Sequence, residues 1–268
     1  MAAYKAILTT GVAYVRSIAV GALSGVVGPA NLFNVSTITS TGNQVAVTTS
    51  GVTTIRCNNA TLLTIQGLVA GVAGQRVRIV SVGAGQVDLA HQNAGAADAD
   101  KLINFATSAS SSLAAGVGWA EYEYDATTAR WRMVAHEQGA WITPTFAAGN
   151  FTGATDMTWT VDEADVLTYA YYLKGRTISV AVQVQTSDVG GTPNANLQAA
   201  IPGGFTAAKG THSVGVAIDA GAANVFGRIT VAASATVIQF KNSAGSTAWT
   251  GTTSDNTGVF GEITFEVT

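Results

Sequence analysis

The chain has 268 residues, enough for one large or two ordinary domains that each bury a core. Only 11% of the residues are charged and the formal net charge is −3, so the chain lacks the basic field that would hold nucleic acid or an anionic membrane surface. Its single cysteine, Cys57, excludes an intrachain disulfide and a cysteine-rich metal site.

Residues 1–41 make up an apolar, glycine-rich segment. Arg16 interrupts this segment, and the uncharged stretches on either side of Arg16 are too short to span a bilayer. We therefore expect no membrane insertion. We interpret residues 1–41 as a segment that attaches the chain to a partner or packs against it.

Beyond about Asn31 the sequence is typical of an all-β protein, because short runs of alternating apolar residues are separated by Gly, Asn, Ser and Asp. A first antiparallel β domain is predicted over residues 42–138. Its clearest strands are residues 44–48, 76–82, 86–91, 119–124 and 130–134. Residues 97–116 have no sustained apolar stripe, so we expect a long loop there that is functional or packed against a partner.

An aromatic stretch, GWAEYEYDATTARWRMVAHEQGAW, occupies residues 118–141 and predicts a hairpin. With residues 125–128 as the loop, the Asp125 side chain can accept backbone N–H bonds. The register then pairs Tyr122 with Trp131, which gathers aromatic rings on one face and a Glu–Arg ladder on the other. We interpret the stretch as scaffold, with His136 and Glu137 on opposite faces of a solvated strand end.

A second β domain is predicted over residues 139–268, where apolar residues alternate strictly with polar ones. This period of two is typical of antiparallel sheets with one buried face, and it predicts a β-sandwich. The side chains expected to point inward are those of Ile178, Val180, Val182, Val184, Val214, Val216, Ile218, Ile263, Phe265 and Val267.

The sequence contains no recognisable reactive constellation. Its three histidines, His91, His136 and His212, stand far apart and lack metal-site spacing. The acidic clusters at residues 98–100 and 162–165 lack the spacing of a calcium loop. Nucleophile-elbow, P-loop and dinucleotide-binding patterns are missing as well. We therefore predict no catalytic residue, no metal site and no cofactor, while two carboxylates distant in the chain stay open as a hydrolytic pair.

Three aromatic residues do not fit a buried face and are candidates for contact with a receptor or glycan. Trp159 lies beside acidic residues, Tyr172 breaks the alternation of residues 169–172, and Trp249 lies among small polar residues. The competing interpretation is that these rings pack between subunits of an oligomer.

Two stretches, residues 74–134 and 167–204, resemble tail-fibre and receptor-binding proteins of tailed bacteriophages. In residues 74–134 a strand and turn lead to a V-x-L-x-H strand, then to a long polar loop and an aromatic hairpin ending in RWR. Residues 167–204 combine tyrosines, a KG pair, a long alternating strand and an Ile-Pro edge. The second pattern is similar to the start of the jelly-roll-like distal domains of such fibres.

The resemblance implies a non-enzymatic virion structural protein that assembles in the host cytoplasm as a homotrimer. It implies attachment to other virion proteins through residues 1–41. It also implies contact with a host-surface glycan or protein through a jelly-roll-like domain at residues 139–268. Two alternatives stay open: a polysaccharide-degrading, tailspike-like enzyme, and a particle-decoration protein or bacterial surface adhesin.

Overall fold

The computed structural model describes residues 34–243 and 247–268, together with the backbone of two short strands near the N-terminus. These are β1 (Leu8–Thr9) and β2 (Val12–Ala13), which pair antiparallel. Most of residues 1–41, and with them the attachment interpretation, lie outside the described residues. The all-β prediction is confirmed, since the remaining regular structure consists of strands and four single-turn 3-10 helices in the described ranges. None of the described residues belongs to a helix with the length and apolar character needed to cross a membrane.

The first domain consists of two sheets that enclose one core. The six-stranded sheet contains β3 (Val35–Ile38), β5 (Thr54–Cys57), β7 (Arg76–Ser81), β9 (Leu102–Ile103), β11 (Trp119–Asp125) and β12 (Arg130–Glu137). The four-stranded sheet contains β4 (Gly42–Gln44), β6 (Leu63–Ile65), β8 (Val87–Leu89) and β10 (Ser111–Leu113). Strand β3 thus joins this domain, although it precedes the predicted start at residue 42.

Successive coils of the chain stack on one another in this domain. The chain alternates between the two sheets, so that β3, β5 and β7 pair in parallel in one sheet and β4, β6 and β8 in the other. At one corner the coils approach so closely that a Cβ on Gly85 would lie 2.1 Å from the Thr61 carbonyl oxygen. We expected antiparallel pairing here. The stacked coils leave no fixed period in the sequence, because the coil from Val35 to Thr54 is shorter than the one from Thr54 to Arg78.

The aromatic hairpin is formed by β11 and β12, but its loop is residues 126–129 and Asp125 pairs with Arg130. The predicted register is therefore wrong by two residues, and Tyr122 lies opposite Met133 instead of Trp131. The division of faces survives, because a shift by two preserves the alternation. As predicted, the Asp125 carboxylate accepts bonds from the backbone N–H groups of the loop, at 2.9 and 3.3 Å. The charged face pairs its two glutamates with Arg76 on β7.

The second domain is a nine-stranded antiparallel sheet, which confirms the predicted antiparallel β-sandwich character. Its strands are β13 (Phe151–Gly153), β14 (Met157–Thr160), β15 (Val166–Lys174), β16 (Thr177–Gly191), β17 (Leu197–Ala200), β18 (Thr211–Ile218), β19 (Val225–Val231), β20 (Val237–Lys241) and β21 (Thr252–Glu266). The sheet runs from β13 through β17, β20, β19, β18, β21 and β16 to β14, while β15 also pairs with β16. Its two ends, β13 and β14, are joined by a short turn, so the sheet curls into a nearly closed barrel around its core.

The predicted inward faces hold for β16 and β21, whose alternate apolar side chains are buried. The prediction for β18 is wrong. Gly215 and Ala217 point inward, whereas Val214 is 68% exposed and Val216 and Ile218 are half-buried. The alternation correctly predicted two different faces for β18 but assigned the wrong face to the core, because the core at β18 accommodates only small residues.

The two domains are joined by the side chain of Gln138, which is completely buried. Its amide nitrogen donates to the carbonyl oxygens of Ala140 and Tyr171 at 2.9 and 3.0 Å. Its amide oxygen accepts a bond from the Leu173 N–H at 3.1 Å. The excursion after residue 97 contributes Ala106 to the second core, so it packs against the other domain of the same chain. The prediction of one long loop there is wrong, because the segment contains β9 and β10.

We expect Gln138→Ala to lower the free energy of unfolding by about 2–4 kcal/mol, because the buried Leu173 N–H loses its acceptor and the Ala140 and Tyr171 carbonyls each lose a donor. Urea denaturation measures this loss. Gln185→Ala, on the outer face of β16, is the matched control and should change stability little. Equal stabilities of the two variants would contradict the role assigned to Gln138.

Candidate functional site

Two of the three predicted contact residues are buried. Trp159 is 4% exposed and its indole N–H donates to the Ser187 hydroxyl at 2.8 Å. Trp249 is 1% exposed and its indole N–H donates to the Phe240 carbonyl at 3.3 Å. Both rings complete the second core, so neither is available to a ligand. The loop-like surroundings of Trp249 concealed this, because the segment folds back over the core.

Tyr172 is the third candidate, and it does lie on the surface. Its neighbours Tyr171 and Leu173 point into the core, so Tyr172 occupies the outward position of β15 and is half-buried. Its hydroxyl donates a hydrogen bond to the carboxylate of Glu137, at the end of β12. The structure therefore brings a phenol of the second domain against a carboxylate of the first.

The rings of two tryptophans extend this pair on both sides. The Trp141 ring is 46% exposed and its centroid lies 6.1 Å from that of Tyr172. Trp119 on β11 lies directly opposite Glu137 in the strand register and is half-buried. The Arg78 guanidinium lies over the Trp119 ring, 4.2 Å from its centroid. These five residues, Arg78, Trp119, Glu137, Tyr172 and Trp141, form a continuous surface that we call the aromatic row.

The chemistry of the aromatic row suits a sugar. An exposed ring offers an apolar face on which the C–H groups of a pyranose can lie, and a carboxylate accepts hydrogen bonds from sugar hydroxyls. The Arg78 guanidinium has several N–H donors, of which a cation–π contact uses none. The row spans both domains, so the buried Gln138 beside Glu137 fixes its geometry.

Four members of the aromatic row were missed, and we had interpreted the stretch at residues 118–141 as scaffold. Its inward face is scaffold, since Tyr122 and Trp131 are fully buried. Its outward face carries Trp119 in phase with two glutamates. A tryptophan on the polar face of an amphipathic strand was the available signal. The approach of Tyr172 depends on the domain junction, which no local pattern reveals.

His91, His136 and the acidic clusters make internal contacts, whereas His212 is exposed. His136 is buried, so the prediction of a solvated strand end was wrong, although Glu137 does lie on the opposite face. Asp162 and Asp165 cap their own 3-10 helix. Within residues 34–243 and 247–268, no three His, Cys, Asp or Glu side chains lie together as metal ligands would.

No protein-family model matches the chain, and neither does any curated protein.

We expect stability to fall as the pH drops below about 6.5, the pKa of an unperturbed histidine. Burial lowers the pKa of His136 in the folded chain, so below pH 6.5 the unfolded chain binds the extra proton first. His136 Nε2 faces the Ser112 carbonyl at 3.1 Å, and Nδ1 has no partner among the described residues that could accept a second N–H. Burial also lowers the pKa of His91, so this histidine adds to the loss of stability as the pH falls.

Urea denaturation between pH 7 and 5 measures the effect, with His136→Gln as the test variant. Each histidine contributes at most about 1.4 kcal/mol per pH unit, so the variant should show a shallower slope. His212→Gln, which removes an exposed histidine, is the control for the substitution itself. A His136→Gln protein with the full wild-type slope would contradict the assignment.

Proposed function

We propose that this chain is a non-enzymatic structural protein of a bacteriophage virion that contacts a host-surface glycan. The aromatic row carries the binding part of this proposal, because it combines exposed rings, a carboxylate and a guanidinium on one surface. The virion part rests on the sequence resemblance of residues 74–134 and 167–204 to phage fibre proteins.

The proposed binding needs no chemical step. The Trp141 ring stacks on a sugar face, and the Arg78 guanidinium over Trp119 donates to sugar hydroxyls. The Glu137 carboxylate orients one sugar residue through its hydroxyls. Tyr172 holds that carboxylate in place through its hydroxyl group. Because the side chains are already packed together, binding costs little ordering of the protein.

The proposed assembly is a homotrimer attached to other virion proteins through residues 1–41. Several copies would present several aromatic rows to one cell surface. Multivalent contact raises the overall affinity well above that of a single site, so a weak glycan site is sufficient for attachment.

We expect Trp141→Ala to weaken glycan binding about tenfold, or ~1.4 kcal/mol, because an exposed stacking ring is lost. Glu137→Gln should weaken it as well, since a charged acceptor is replaced by a neutral one. The measurement is binding of the purified protein to immobilised bacterial surface polysaccharides and to intact cells.

The matched control is Leu167→Ala, which truncates an apolar side chain of β15 that is also exposed but lies outside the row. Binding that survives Trp141→Ala and Glu137→Gln unchanged would contradict the proposed site. Release of soluble sugar by the wild-type protein would support the polysaccharide-degrading alternative instead.

A further inference from the structure

The outer face of the second domain carries an apolar surface formed by three neighbouring strands. Phe226 on β19 is 82% exposed and Val214 on β18 is 68% exposed. Val216 and Ile218 on β18 and Phe260 on β21 are half-buried on the same face. We call these five residues the outer apolar face. A contiguous apolar surface of this kind usually marks an interaction site.

The inner side of the same strands fixes this orientation. A Cβ on Gly261 would lie 2.3 Å from Ile229 Cδ1, and one on Gly215 would lie 2.6 Å from the Phe260 carbonyl oxygen. The interior therefore has no room for the side chains of Val214 and Val216. Turning β18 over would place valines where only glycine and alanine fit, so the apolar side chains stay outside.

Opposite charges flank the outer apolar face. Val214 lies opposite Arg228 on β19, and Val216 lies opposite both Phe226 on β19 and Phe260 on β21. Glu262 follows two residues after Phe260, so the same register places it beside Val214. Among the described residues Arg228 Nε has no hydrogen-bond partner, and neither Arg228 nor Glu262 has an oppositely charged partner within ion-pair distance.

This arrangement is complementary to itself. A rotation axis parallel to β18 keeps each residue at its height along the strand and turns the β19 side of one copy towards the β21 side of the next. Arg228 of one copy then faces Glu262 of its neighbour, and Phe226 faces Phe260. The same pairing forms around a two-fold or a three-fold axis, because only the direction of the axis matters.

We propose that the outer apolar face is a self-association surface, covered by other copies of this chain around an axis parallel to β18. The inference rests on the self-assembly within the proposed function, but not on the virion or the glycan. With three copies, the valines of β18 line the axis and the Arg228–Glu262 pairs form a ring around it.

The test uses light scattering of the full chain over a wide range of protein concentrations. Phe226→Asp should dissociate the assembly, since it places a charge in the apolar contact. Arg228→Glu and Glu262→Arg should each raise the dissociation constant about tenfold or more by opposing like charges. The double variant, R228E with E262R, should restore assembly because the charges are exchanged between neighbours.

Two controls separate assembly from folding. Arg56→Glu makes the same change of charge on the exposed side of the first domain, and Leu167→Ser makes a polar substitution away from the face. Both should keep the wild-type mass. Circular dichroism and thermal melting establish that each variant is folded.

A wild-type assembly that no face variant weakens would overturn the inference and leave self-assembly standing. A double variant that associates as weakly as the single variants would overturn the proposed axis parallel to β18. A wild-type monomer at every concentration would overturn both this inference and the proposed trimer, while the glycan assay still tests the rest of the proposed function. A Phe226→Asp protein that keeps the wild-type assembly mass but loses cell binding would assign the face to a host ligand and likewise overturn the inference.

Discussion

The buried amide of Gln138 is the contact on which the geometry of the surface depends. The Gln138 side chain follows the last strand of the first domain and bonds to backbone groups on both sides of Tyr172, so that β12 and β15 are held at a fixed distance. Glu137 and Tyr172 are the outward neighbours of these two contacts. The buried hydrogen bonds of Gln138 therefore set the relative positions of the side chains in the aromatic row. A site assembled across two domains can be rigid only if the junction beneath it is as well ordered as either core.

The two domains use their outer surfaces differently. In the first domain the outward positions carry ion pairs, such as Arg76 with Glu123 at 2.7 Å, and these keep the surface hydrated. In the second domain the interior beneath β18 and β21 is lined by glycine, and large apolar side chains are left outside. The first arrangement favours contact with a polar ligand. The second favours contact with another apolar surface, and the unpaired charges around it favour a copy of the same chain.

Local pattern was enough to predict the fold class, the longer strands β7, β11, β12, β16, β18 and β21, and the division of the hairpin into two faces. Parallel stacking in the first domain was not predictable, because the coils differ in length and the pairing is between distant segments. The phase of β18 failed for a related reason. Alternation shows that two faces differ, but only the packing of Ile229 against Gly215 and Gly261 decides which face is buried. Of the three candidate contact residues, only Tyr172 lies on the surface, and its departure from alternation is local. The predicted exposure of Trp159 and Trp249 was wrong, because the segments that bury them are distant in the sequence and the neighbouring residues do not reveal them.

The most direct test of this account is amide hydrogen exchange at the domain junction. The relevant groups are the Leu173 N–H, bonded to the Gln138 side chain, and the Ala114 N–H, which donates to the Gln138 carbonyl at 2.8 Å. Both should exchange as slowly as the core amides of Val180 and Val182 in β16, since the junction opens only when the domains unfold. Fast exchange at the junction beside slow exchange in both cores would mean that the domains move independently, and a rigid aromatic row across them would be contradicted.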